Sequence, residues 1–461
     1  MDTLNVHIPN MKSIGRILPL YVIIVFCIIL VSCKKTNPTI DPLASEKSYL
    51  YDIMTDIYYW YREVPNVRSE SIATLEDYFE ALLSPKDRWS WMIDGQSWVN
   101  SEAGISTTYG MNLAQATEYY NDYGIRVRYV FPNSPMSDNG VERGHELTHL
   151  NDIPVMNLIR DQIYNSVINR VTNKFTFKDR EGLSYSFTAT QRTINTRSYL
   201  SEPKVFTNVE FPGLPYSVGY FNYYTFNENM LEDIDEIMEM FYNADIKELI
   251  LDLRYNGGGS GTATDLLGSY IAPQESNGKI FYRRRHNYRY SQWDNIESSI
   301  SRIVRKENSL NIDRLIILTS KGTASASELI INGLSPLMEV VQIGMTTYGK
   351  PNGMYVLPYP RNNYTNPSYI FQPICFYSVN SVGFGDYEDG LQPDYLRYDD
   401  LYHDFGIEED LIKASLTFIT TGTIPSLPPP TRSSGSNLSG GKIMTDEESP
   451  NYGKYYVIPP K

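Results

Sequence analysis

Apolar positions recur at Leu50, Ile53, Ile57 and Trp60, and again at Leu75, Phe79 and Leu82. That spacing marks one face of a helix. Pro65 falls between the two sets, so Ser45–Leu83 predicts two helices. They run into Asp87-Arg88-Trp89-Ser90-Trp91, a compact aromatic junction. From Ile105 to Ile194 the period shortens. Ile125–Val130 alternates as a strand, and Pro132–Pro135 and Asn139-Gly140 read as turns. Phe175–Phe177 and Tyr185–Phe187 flank Asp179–Gly182 as a hairpin, and a helix is expected around Leu158–Val171. Beyond Val205 strands and helices alternate: strand Val218–Tyr223, amphipathic helix Met230–Tyr242, then Leu249–Leu253. That last run is almost wholly apolar, the pattern of a parallel strand covered on both faces. Leu315–Leu318, a helix over Ala326–Met338 and strand Val340–Ile343 continue an α/β rhythm to about Thr420. Thr421–Lys461 is rich in Pro, Ser and Gly and is expected to be disordered.

At 461 residues the chain accommodates two or three domains with separate cores. Hydrophobic content of 41% and charged content of 20% exclude wholesale disorder. A net charge of −14 argues against a nucleic-acid partner, which requires a basic face. The 38 tyrosines fit ordinary packing first, and peptide or glycan grooves second. At the N-terminus Lys12 and Arg16 precede an apolar run, Ile17–Val31, that ends in Leu30-Val31-Ser32-Cys33. This is the layout of a secretory signal, and the run is short for a membrane span. Leu-Val-Ser-Cys also resembles a bacterial lipobox, which makes Cys33 the lipidated first residue of the mature chain, anchored to a membrane and facing periplasm or cell exterior. Cys27 would leave with the signal and Cys375 would remain alone, so no disulfide framework is expected.

Three segments compete as the active site. His145-Glu146-Leu147-Thr148-His149 matches the zinc-protease pattern, which needs both imidazoles on one helix face. Gly144 precedes it and Asn151–Pro154 ends it, which leaves little room for a helix; a bent strand fits equally well. Gly344–Lys350 matches a phosphate loop until Pro351, where that loop requires Ser or Thr and a backbone N–H. The third candidate joins two pieces. Ser325 lies where a strand turns into a helix, between Ala324 and Ala326, and Lys350 follows the next strand. Parallel neighbours bring both strand ends to one sheet edge. A lysine serves as a base where desolvation lowers its pKa toward neutrality. Helix capping is the ordinary alternative for Ser325. Upstream, Asn256-Gly257-Gly258-Gly259 spends more glycine than a tight turn needs, and lets backbone amides approach a ligand closely, as an oxyanion hole requires.

Together these residues resemble the S41 serine peptidases, the C-terminal processing or tail-specific proteases. Asp252–Gly259 is similar to the family's glycine signature, Thr323–Glu328 to its nucleophile turn and Tyr348-Gly349-Lys350 to its base. The resemblance implies a multidomain α/β architecture. Its parts are a signal at 1–33, an N-terminal helical region at 34–104, a small, mostly β, PDZ-like domain at 105–200, an S41 core of the ClpP/crotonase-like type at 201–421, and a tail at 422–461. It implies Ser325 as nucleophile, Lys350 as general base, and amides near Gly258 or Gly259 and Ala326 as the oxyanion hole. Neither cofactor nor metal is implied. Pro132–Pro135 and Gly140–Asp152 are similar to the family's PDZ domain, which puts both histidines on or beside a strand. That domain would engage the C-terminal segment of a polypeptide substrate. Many members carry a glutamine four residues after the lysine; here that position is Met354, which leaves Asn352, or backbone carbonyls alone, as the expected orienter of the lysine.

Overall fold

In the computed structural model, residues 41–115, 124–427 and 454–457 are described. Cys33 and the signal segment lie outside them, as does most of the 422–461 tail. Among the described residues no helix is long and apolar enough to cross a membrane.

The N-terminal region holds α1 (Ala44–Asp56) and α2 (Leu75–Leu82). Thr74 caps α2 by accepting the Asp77 N–H at 3.0 Å. Leu50, Ile53 and Met54 of α1 and Tyr78, Phe79 and Leu82 of α2 are buried in one cluster with Trp89, Trp91, Met354 and Phe371. The N-terminal helices therefore complete the core beside the base-bearing segment and do not form a separate body.

Next comes an antiparallel sheet of β1 (Met111–Gln115), β2 (Ile125–Val130), β3 (Glu146–Leu150), β4 (Thr172–Lys178) and β5 (Ser184–Thr190), paired in that order. The hairpin β4–β5 runs in register from Thr172↔Thr190 to Lys178↔Ser184. The single helix expected over Leu158–Val171 is two short ones, Val155–Arg160 and Tyr164–Ile168. Gln162, at φ 58°, breaks the helical path between them.

From Lys204 onward come β6 (Lys204–Phe206), β7 (Val218–Asn222), α3 (Leu231–Asn243), β8 (Glu248–Asp252), β9 (Gly258–Ser260) and α4 (Gly261–Ile271). After them lie β10 (Ile280–His286), β11 (Ile300–Arg302), β12 (Arg314–Thr319), α5 (Ala326–Leu334), β13 (Glu339–Gly344) and β14 (Asn352–Tyr355). The series closes with β15 (Ile374–Asn380), β16 (Tyr395–Leu396), α6 (Asp410–Thr421) and β17 (Lys454–Val457). Strands β6-β7-β8-β12-β13-β16 form one sheet, parallel from β7 on. Leu249 and Leu251 of β8 face a cluster with α3, α4 and α5, while Ile250 faces another with α6. That two-sided burial is why the strand reads as a continuous apolar run. The expected helix Ala326–Met338 stops at Leu334, two residues before Pro336, which removes an N–H from the helical ladder.

A second sheet, in the order β9-β17-β14-β15-β10-β11, packs beside the first. Its member β17 corrects the expectation of a disordered tail. Lys454–Val457 pairs in parallel with β9 on one side and β14 on the other. A Tyr-Tyr-Val sequence with ladder partners on both sides satisfies its backbone as a strand, and overall Pro, Ser and Gly content does not report so short an element.

Candidate active site

β8, β12 and β13 are parallel neighbours, so the segments leaving them emerge at one sheet edge. Hydrogen bonds tie the three segments together. Leu253 N–H donates to Leu318 O at 3.0 Å, and Ala324 N–H to Asn256 O at 3.1 Å. Ser327 Oγ also donates to Asn256 O at 3.0 Å, and Thr323 Oγ1 to Leu253 O at 2.9 Å. Tyr348 N–H reaches Thr323 O at 2.9 Å. The glycine turn, the serine turn and the approach to Lys350 thus form one cross-braced unit.

Ser325 immediately precedes α5 with φ 61° and ψ −110°, a conformation that side chains rarely adopt. Holding it costs of order 1–3 kcal/mol, and such strain concentrates at sites of chemistry. Its hydroxyl is buried and makes no hydrogen bond, so it does not act as the ordinary helix cap.

Glu328, fully buried one turn later, explains how this is sustained. Its Oε2 accepts the N–H of Ser325 and the N–H of Lys350, each at 2.8 Å. Its Oε1 accepts Gly349 N–H at 2.7 Å and Thr347 Oγ1 at 2.5 Å. One carboxylate oxygen therefore holds the backbone nitrogens of Ser325 and Lys350 within twice 2.8 Å of each other. Burial pushes the Glu328 pKa up, and its four donors pull it down. Sequence reasoning quoted Glu328 only as part of a motif, although Ser-x-x-Glu at a helix start is a capping-box pattern and the available signal.

Lys350 is 1% exposed. Burial lowers its pKa to about 7, against the opposing charges of Asp87 and Glu328. Met354 Sδ lies 3.8 Å from Nζ. Asn352, the expected orienter, has a buried amide that is not hydrogen-bonded to the lysine. As alternate residues of β14, Asn352 and Met354 share a strand face, but only the longer Met354 side chain carries a polar atom to the amine. The sequence marked Asp87 only as part of an aromatic junction. It accepts Tyr58 Oη at 2.7 Å and the N–H groups of Trp89 and Ser90 at 2.9 Å, while neighbouring Arg88 donates to Gly349 O at 3.1 Å. No local pattern marks the Arg88 contact, which joins residues 261 positions apart.

The glycine turn needs one correction. Gly258 N–H is taken by Asn256 Oδ1 at 2.8 Å, so it is not available to an incoming oxyanion. Gly258 O and Ser260 N–H both bond Phe226, at 3.1 and 2.6 Å, which turns the main-chain groups of Gly259 to the opposite edge. Ala326 is the first residue of α5, where helical N–H groups lack intrahelical partners. Gly259 has φ 143°, and a Cβ there would lie 2.1 Å from Phe226 O. Gly259→Ala is therefore expected to shift the turn and lower the melting temperature, a loss of about 1–3 kcal/mol. An unchanged melt would show that the turn has slack.

The other two motifs resolve differently. His145 precedes β3 and His149 lies within it, with Nδ1 of His145 at 2.7 Å from Tyr185 Oη. A strand does not present the i and i+4 imidazoles as a zinc helix does. In Gly344–Lys350, the amides of Gly349 and Lys350 already donate to a carboxylate, which leaves no cradle for phosphate.

Residues 217–396 match Peptidase family S41, and residues 45–91 match the Peptidase S41 N-terminal domain. Over 285 residues the chain is 22% identical to carboxyl-terminal-processing peptidase 3, chloroplastic, of Arabidopsis thaliana, covering 60% of this chain and 51% of that protein. Over 144 residues it is 26% identical to carboxy-terminal processing protease CtpB of Bacillus subtilis (strain 168), covering 31% and 27%. The chain thus spans about half or less of the length of these curated relatives. Its fold is shared with a crystal structure from Bacteroides fragilis NCTC 9343 assigned to the S41 proteases, with TM-score 0.65 and 22% identity over 81% of this chain and 97% of that one.

Proposed function

We propose, from the premise that residues 217–396 form a peptidase family S41 domain, that the protein is a serine endopeptidase acting on unfolded or C-terminal polypeptide segments. Ser325 is the nucleophile and Lys350 its general base. The observation that carries this reading is the shared carboxylate oxygen, which holds a strained, unpartnered serine beside a dehydrated lysine. The neutral Lys350 amine accepts the proton as Ser325 Oγ attacks the peptide carbonyl. The N–H of Ala326 receives the oxyanion, joined by that of Gly259 where β17, which pairs with Gly259, gives way to substrate. Collapse of the tetrahedral adduct breaks the C–N bond, and the lysine ammonium returns its proton to the leaving amine. Water, deprotonated by the same amine, then hydrolyses the acyl-enzyme.

The test follows from the direction of titration. Lys350 works only as the free amine, so kcat/KM rises with pH and is half-maximal near 7, where its pKa has been lowered. A profile flat from pH 6 to 8 rules the lysine out as base.

Residues 105–200 would serve as the PDZ-like domain that engages the substrate's C-terminal segment. Cys33 would carry the lipid that tethers the protein to a bacterial membrane, facing periplasm or cell exterior. A second reading, a catalytically silent peptide- or glycan-holding shell, is favoured by one observation, the thioether of Met354 where a side-chain amide would orient the base.

A further inference from the structure

We propose that the gap between β9 and β14 is a strand-addition site for extended polypeptide, and that this chain fills it in cis with Lys454–Val457. The inference deepens the peptidase reading and rests on it for the class of ligand.

Both walls of the gap belong to the site already described. β9 carries Gly259, and β14 begins two residues after Lys350. β17 runs parallel to both, with Gly259 opposite Tyr455, Met354 opposite Tyr456 and Tyr355 opposite Val457. Immediately past β14, Val356 N–H donates to Val457 O at 3.1 Å. Because Gly258 and Ser260 spend their main-chain groups on Phe226, Gly259 turns its own toward β17. The amide proposed for the oxyanion therefore faces the strand that occupies the gap.

Without β17, β9 and β14 would stand two strand spacings apart, about 9.5 Å, with unpaired N–H and C=O groups lining both edges. Such a gap admits one extended chain and no helix. Recognition through main-chain hydrogen bonds ignores most side chains, so it fits polypeptide as a class. Tethering gives the cis strand an effective concentration in the millimolar range for flexible connections, so any polypeptide arriving from solution competes with it.

The experiment is best done in a full-length Ser325→Ala chain, so that nothing is cut. Tyr455→Pro with Tyr456→Pro removes two successive N–H groups from β17, one facing each wall. A labelled peptide with the sequence of residues 454–461 is then titrated into both chains. The proline chain is expected to bind at least about tenfold more tightly, since the cis competitor is gone. Equal binding by the two chains, or no binding to a proline chain that melts like its parent, overturns the proposal. If the proline chain does not fold, hydrogen exchange in the parent decides. A saturating unfolded polypeptide should accelerate exchange at residues 454–457, and unchanged exchange overturns the proposal. Neither measurement reads turnover. A chain that binds and exchanges as expected yet never cleaves keeps the gap and loses the peptidase reading.

Discussion

On the proposed dyad, Ser325→Ala is expected to lower kcat on an unfolded reporter polypeptide by about 10⁴-fold or more, and Lys350→Ala to do the same. The two losses do not add, because nucleophile and base act as a unit: the double variant is no slower than either single one. The fold survives the serine change. The hydroxyl is buried without a partner, so its removal discards a desolvated polar group, and the carboxylate that braces the turn binds the Ser325 backbone and not its side chain. Steady-state turnover and a thermal melt of each variant check both halves. If either single variant retains turnover near that of the parent, the dyad is wrong, and the peptide-holding shell becomes the better account.

The largest stability effect is expected at Arg254. Its guanidinium is fully buried and grips Asp252 with Nε at 3.0 Å and Nη2 at 2.7 Å. Its Nη1 donates to Asp399 at 2.9 Å and also to Glu409. Asp399 in turn accepts Arg143 at 3.0 Å and Tyr255 Oη at 2.6 Å. Removing a single partner from such a buried network typically costs about 3–5 kcal/mol, because opposite charges are left uncompensated. Arg254→Met should show this as a lowered urea midpoint. The pH dependence has a definite sign. Burial already holds Glu409 up at about 7, while the arginines hold Asp399 down at about 2. Without Arg254, Glu409 titrates still further above its unfolded value, while Arg143 continues to hold Asp399 down, so the variant's deficit grows as pH rises through the folded Glu409 value and shrinks in acid. An equal deficit at pH 5 and pH 8 would show that the network is not electrostatic.

The sequence carried the parallel sheet plainly, because strands such as Leu249–Leu251 are covered on both faces and leave an unbroken apolar run. It carried Ser325, Lys350 and the glycine turn through a resemblance, and the structure gathers these at one sheet edge. The residues that hold them there were harder to read. Glu328 sits inside a recognisable motif, yet its four hydrogen bonds reach to positions 325, 347, 349 and 350. Asp399 connects arginines contributed by two distant regions, and charge partners chosen in three dimensions leave no period along the chain. The choice between Gly258 and Gly259 depends on which way each amide turns, and that is set by Asn256 for the first and Phe226 for the second, not by the glycines. Likewise β17 is four residues long and takes its ladder partners from strands far earlier in the chain.

The packing of Trp89 and Trp91 against Met354 bears on how the molecule comes into being. Met354 touches the Lys350 amine on one side and this aromatic layer on the other. A nascent chain leaving the ribosome has made its tryptophans long before position 350 appears, but until the later strands settle on them that amine stays hydrated and charged. On the proposed reading, an amine able to take the Ser325 proton therefore arrives only with the finished tertiary structure.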